Sequence, residues 1–237
     1  RCIFFPDFEY YFCTISSPHS ETMMQLKNIA LSLLVLLLMP VESVFAQADL
    51  KAQQENWITL AASMYDRRDF DGAVTLLKSV IEQAPDNDAA YYYLALSSLG
   101  KGDAEAAEAY LRQAVELDGG NFWYRQRLAA LYAATSQPEL AIDIYEGLLK
   151  DFPKKSDLYI KLVELYAARE DFEKALATLD EIETVFGKSE STAVYRFNFL
   201  RGMGRAEEAF KSLEEYNKEY SSPYVLTALA DWQISMY

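Results

Sequence analysis

The sequence predicts an all-α chain built as a row of stacked antiparallel helix pairs. Three observations carry this. Small and apolar residues recur every 34 positions, apolar residues inside each interval fall three and four apart, and turn formers interrupt each interval twice. Ala73, Ala107, Ala141, Ala175 and Ala209 keep one phase. Leu60, Leu94, Leu128 and Leu162 keep a second, and Leu77, Leu111, Tyr145, Leu179 and Leu213 a third. A fixed period in this range marks a repeat architecture, and three-and-four spacing is helical. One such unit cannot bury its apolar face alone, so neighbours must stack into a continuous core.

The frame places units at 54–87, 88–121, 122–155, 156–189 and 190–223, after a lead-in at 47–53. Residues 224–237 begin a sixth unit whose second helix is missing. In the first unit, Trp57, Leu60, Ala61 and Met64 mark the first helix and Ala73, Leu77 and Val80 the second. Helices that touch closely need small side chains at the contact. The Ala61 and Ala73 positions supply them, with the Leu60 and Leu77 positions filling the space beside. Asp69, Asp103 and Asp171 stand between the two helices as N-caps. Ser136-Gln137-Pro138-Glu139 reads as a capping box with Pro in the first turn. Pro85, Gly119-Gly120, Pro153 and Gly187 end the second helices, and Ser222-Pro223 opens the last one. Arg196 stands where earlier units carry leucine, with Phe197 beside it to compensate. Tyr224, Leu226, Leu229 and Trp232 are expected to pack on the fifth unit.

These series resemble the tetratricopeptide repeat, whose outline is W-x2-L-G-x2-Y, then A-x3-F, then P. The third unit shows it as Arg125, Leu128, Ala129, Tyr132, Ala141, Tyr145, Leu148 and Pro153. The resemblance covers 54–223 without insertion. It implies a solenoid, coiled as a right-handed superhelix of antiparallel helix pairs, about five repeats plus a partial sixth.

The N-terminal part reads differently. The chain begins with Arg1, and residues 1–22 are aromatic-rich and aperiodic, as expected of non-native upstream sequence. Residues 23–46 have the parts of a signal peptide: Lys27, an 11-residue apolar run from Ile29 to Met39, and Val44-Phe45-Ala46. Cleavage is expected after Ala46, with export to the periplasm or beyond in a Gram-negative-type bacterium. The run is shorter than the roughly 20 residues a spanning helix needs, so no stable membrane insertion is expected after cleavage; an uncleaved anchor is the competing reading. With an open end at Tyr237, the whole is expected to be a fragment of a longer reading frame.

Composition narrows the chemistry. The net charge is −14, and removing residues 1–46 leaves −12. An acidic surface repels nucleic acid and anionic headgroups, so no nucleic-acid partner is expected. Both cysteines (Cys2, Cys13) and the single histidine (His19) lie before residue 47. The remainder has no thiolate or imidazole for a triad, a Cys nucleophile or a zinc site. Gly202-Met203-Gly204 lacks both the preceding strand and the following Lys-Ser/Thr of a phosphate loop. The expectation is a chain that is not an enzyme, with no cofactor and no metal.

The resemblance implies that the first helix of each unit lines a concave groove. Its positions here include Tyr65, Tyr92, Leu96, Leu99, Trp123 and Gln126, with Ala130, Ala133 and Ala134. In the fifth unit they include Val194, Asn198 and Arg201. Lys, Asn and Arg clamps for a peptide carboxylate are absent from the first four units, and the groove there is apolar and aromatic. Exposed apolar patches of that kind mark binding surfaces. The leading expectation is therefore a protein–protein interaction scaffold that binds a protein or peptide segment. Two alternatives stand beside it. One is a glycan-binding helical protein partnering an outer-membrane sugar importer, resting on Tyr92 and Trp123. The other is the interaction part of a longer enzyme.

Overall fold

The computed structural model describes residues 2–3, 12–13 and 41–235. Residues 1, 4–11, 14–40 and 236–237 fall outside it, and with them most of the upstream segment and of the signal sequence. Two units emerge, Arg1–Asn56 and Trp57–Tyr237. In the first, β1 (Cys2–Ile3) pairs antiparallel with β2 (Phe12–Cys13). The sequence reading contained no strand. Phe, Ile and Cys in an aromatic-rich segment suit extended pairing, and two residues a side carry no periodic signal.

Among the described residues every other element is a helix. These are α1 (Val41–Asp66), α2 (Phe70–Gln83), α3 (Asp88–Gly100), α4 (Ala104–Leu117), α5 (Phe122–Ala134) and α6 (Pro138–Asp151). Then follow α7 (Ser156–Ala168), α8 (Phe172–Phe186), α9 (Glu190–Gly202), α10 (Ala206–Tyr220) and α11 (Pro223–Ser235). From α2 onward each helix packs on the next, and Ala61 of α1 shares an apolar cluster with Ala73, Leu77 and Val80 of α2, which makes an all-α solenoid.

The 34-residue phases are the core. Ala73, Ala107, Ala141, Ala175 and Ala209 are fully buried, as are Ala61, Ala95, Ala129 and Val163. Leu77, Leu111, Leu179 and Leu213 are fully buried, and Tyr145 nearly so. Tyr110 packs on both apolar clusters and so joins them along the row. Because Ala141 is wedged between helices, Ala141→Leu is expected to destabilise by about 1–3 kcal/mol through over-packing. Ala134→Leu, at an exposed site, should stay within about 0.5 kcal/mol. Urea denaturation followed by circular dichroism measures both, and equal losses would contradict the frame.

Turn chemistry repeats as faithfully as the core. Arg68, Gly102, Ser136, Glu170 and Gly204 all have positive φ and stand 34 apart. After each, a backbone N–H reaches back over the helix end: Asp69 to Met64, Asp103 to Ser98, Gln137 to Tyr132, Asp171 to Tyr166 and Arg205 to Leu200, at 2.8–2.9 Å. This is the Schellman closure, which satisfies otherwise orphaned carbonyls. Asp69, Asp103 and Asp171 then cap the second helices, accepting from Gly72, Ala106 and Lys174 N–H at 3.1, 3.0 and 3.3 Å. Position 136 is thus the left-handed residue of the turn, one place before the cap. The expected capping box at Ser136–Glu139 does not form, and Gln137 caps without a side-chain bond, although Pro138 does open the helix. A capping box does form at Ser189 and Thr192, which begins α9.

The frame also accounts for three departures. Leu94, Leu128 and Leu162 are buried, yet Leu60 is 44% exposed. The equivalent Arg196 reaches back to Asp180 (2.7 Å) and Glu183 (3.3 Å) on the second helix before it. This position therefore faces the preceding repeat, and among the described residues no second helix precedes Leu60. The same ion pairs let Arg196 sit at a leucine position while Phe197 is buried. At the other end the N-cap residues Ser189 and Ser222 are 33 apart, so α11 starts one residue early. Val225, fully buried, with Leu229 and Trp232, packs on the fifth repeat. Tyr224 and Leu226, expected to do so, are 59% and 52% exposed instead.

Candidate interaction face

The first-helix positions do not form one uniform surface. Tyr65 is half-buried, its ring tilted against Phe70 at 5.7 Å. Phe70 also explains a glycine: a Cβ on Gly100 would meet its ring at 2.5 Å. Phe172 crowds Gly202 in the same relation, at 3.3 Å. In the repeats with Ala104 or Pro138 at the phenylalanine position, the partner is Ala134 or Ala168.

Tyr92 is half-buried between Tyr93 (5.5 Å) and Tyr124 (4.9 Å). Tyr124 is itself buried and donates its hydroxyl to Asp88 at 3.0 Å. Burial and that carboxylate raise the Tyr124 phenol well above its ordinary value. Leu96 is only 7% exposed and belongs to the core, not to an open groove. Leu99 is partly buried against the core and Gln126 is half-buried. Trp123 stands apart at 61% exposure. Its ring meets Phe122 edge-on at 5.2 Å, and Phe122 is held by Phe152 (5.1 Å) and by the Lys155 ammonium over its face (4.8 Å). So Trp123 is an exposed aromatic on a rigid base, whereas Tyr92 is part of an aromatic stack. Tyr92→Ala is expected to lower stability by about 1–3 kcal/mol through lost ring packing. A thermal melt followed by circular dichroism checks this, and an unchanged melt would show that the stack carries no stability.

The sequence reading placed its binding residues in the first three units. A recess of about 360 Å3 lies further on, between α9 and α11, over Leu213. Val194, Asn198 and Arg201 line it at first-helix positions that the 34-residue frame identifies. Tyr224 and Asp231 line its other wall. The sequence reading had Tyr224 packing on the fifth repeat and gave Asp231 no role, because α11 is offset by one residue.

Comparison with known proteins fits this geometry. The tetratricopeptide-repeat pattern matches residues 58–122 and 134–190, together half of the chain. The chain belongs to the tetratricopeptide repeat family. Cellulose synthase operon protein C of Pseudomonas fluorescens (strain SBW25) is 37% identical over 84 residues, 35% of this chain and 7% of that protein. The DnaJ protein P58IPK homolog A of Oryza sativa subsp. japonica is 29% identical over 167 residues, 68% of this chain and 35% of that protein. The chain thus spans about a third or less of these longer relatives. The crystal structure of YrrB, a tetratricopeptide-repeat protein with an unusual peptide-binding site, superposes with a TM-score of 0.60 at 13% identity. The match covers 79% of this chain and 97% of that one. At that identity the likeness concerns the fold alone.

Proposed function

We propose that this tetratricopeptide-repeat chain is a non-catalytic protein–protein interaction scaffold, holding a partner segment against the first-helix face of its repeats. The observation that carries this reading is Trp123: a tryptophan 61% exposed on that face, its ring against Phe122, which Phe152 and Lys155 hold in turn. The core has no use for it there, and rigid aromatic anchors dominate interface energetics. The peptide-binding site named for YrrB shows that this fold can serve such a role. Cross-linking and affinity capture with wild type and Trp123→Ala test the reading. Capture of the same partners in the same yield by both would count against it.

We also propose that the chain is exported. The short basic start, the 11-residue apolar run and the small residues Val44 and Ala46 support cleavage after Ala46. The exported protein should then begin at Gln47, and intact-mass measurement checks this. A mature form that retains residues 1–22 would overturn it.

A further inference from the structure

We propose that the recess between α9 and α11 is a binding site for a neutral saccharide unit, a function beyond protein scaffolding. The charge balance selects the ligand class. Arg201 and Asp231 both line the recess, and both are exposed. Neither is ion-paired within the described residues. One cation and one anion on opposite walls favour neither an acidic nor a basic ligand. Within a chain of net charge −14, these two side chains give the recess no net charge of its own.

The polar groups select further. Arg201, Asp231 and Asn198 end in planar guanidinium, carboxylate and amide groups. None of the three has a side-chain hydrogen bond inside the described residues. Together they offer donors only, acceptors only, and one of each. Planar groups pair bidentately with adjacent polar atoms, and neighbouring hydroxyls on a sugar ring are adjacent atoms that both donate and accept. The apolar part completes the match. Tyr224 presents a ring that is 59% exposed, able to cover the C–H face of a pyranose. The Arg201 guanidinium carbon lies 5.2 Å from the Trp232 ring and 5.3 Å from that of Phe197. These cation–π contacts hold the guanidinium at the recess wall, where it has no side-chain hydrogen bond within the described residues. A volume of about 360 Å3 lies at the small end of the range for small-molecule sites. It suits one or two sugar rings and not a folded partner.

The test uses the full chain. Maltotetraose, cellotetraose and xylotetraose are titrated against tryptophan fluorescence and saturation-transfer NMR. Tetragalacturonate and a Gly-Ser tetrapeptide serve as acidic and peptide probes. At least one neutral tetrasaccharide should bind. Tyr224→Ala and Asp231→Ala should each weaken it at least tenfold without changing the circular-dichroism melt, and Trp123→Ala should bind it as wild type does. The proposal fails if no neutral saccharide binds, if either control probe binds as tightly, or if the recess variants bind as well as wild type. Loss of a protein partner in Trp123→Ala with sugar binding intact would separate this site from the scaffold face.

Discussion

Truncating Leu148 to alanine is expected to lower the free energy of unfolding by about 2–5 kcal/mol. Leu148 lies on α6 with no exposed surface, inside the apolar cluster that runs from the second repeat to α11. Its equivalents Val80, Ala114 and Ile182 are buried as well. The loss has two parts: the transfer free energy of the removed methyl groups, and the cavity left among helices that cannot fully collapse. The central position enlarges the consequence. Stability in a solenoid is a sum of repeat terms and nearest-neighbour interfaces, and a cavity in the third repeat weakens the link between the two ends. Against a typical total of about 5–15 kcal/mol, this is a large share. Urea denaturation followed by circular dichroism should show a lower midpoint for Leu148→Ala. Leu140→Ala on the same helix, at a site 43% exposed, should shift by no more than about 0.5 kcal/mol. Equal shifts would mean that the repeat frame does not order the core.

The repeat was legible because it is written in side chains that have only one tolerable environment. An alanine at a helix crossing and a leucine beside it recur for steric reasons, and five alanines in one phase cannot serve another architecture. The aspartate caps were legible for the same reason: each satisfies a backbone N–H that has no other partner. What failed was local. Ser136 reads as a cap by residue type, but the turn needs a left-handed residue there, and serine's identity does not say which of the two jobs it has. Leu60 and Leu94 share a phase, yet only Leu94 is covered, since coverage depends on the neighbouring repeat and not on the residue. The one-residue offset of α11 put Val225 in the buried position and moved Tyr224 from core to surface.

The candidate site was less legible than the fold. Family position alone assigns Tyr92, Leu96 and Trp123 to one groove, but side-chain reach separates them. Leu96 turns into the core, Tyr92 is held between two other tyrosines, and only Trp123 is left mostly in solvent. The recess at Asn198 and Arg201 was within reach of the frame, and its opposite wall was hidden by the offset of α11.

Trp123→Ala is therefore expected to separate binding from folding. Among the described residues its ring meets one other aromatic ring, that of Phe122, and it is 61% exposed, so its removal should change stability by no more than about 0.5 kcal/mol. Phe122 stays in place through Phe152 and Lys155, so the surface around the lost anchor keeps its shape. For a partner segment seated on this face, losing a central tryptophan should weaken affinity by about 2 kcal/mol or more, roughly thirtyfold. The partner captured by wild type is identified by mass spectrometry and then titrated against both forms, with circular-dichroism melts in parallel. Tyr92→Ala supplies the contrast, because it should lose stability first and affinity only as a result. An early-melting Trp123→Ala would place this tryptophan in the core. A stable variant with undiminished affinity would move the binding surface away from the first-helix face, toward the outer face formed by the second helices.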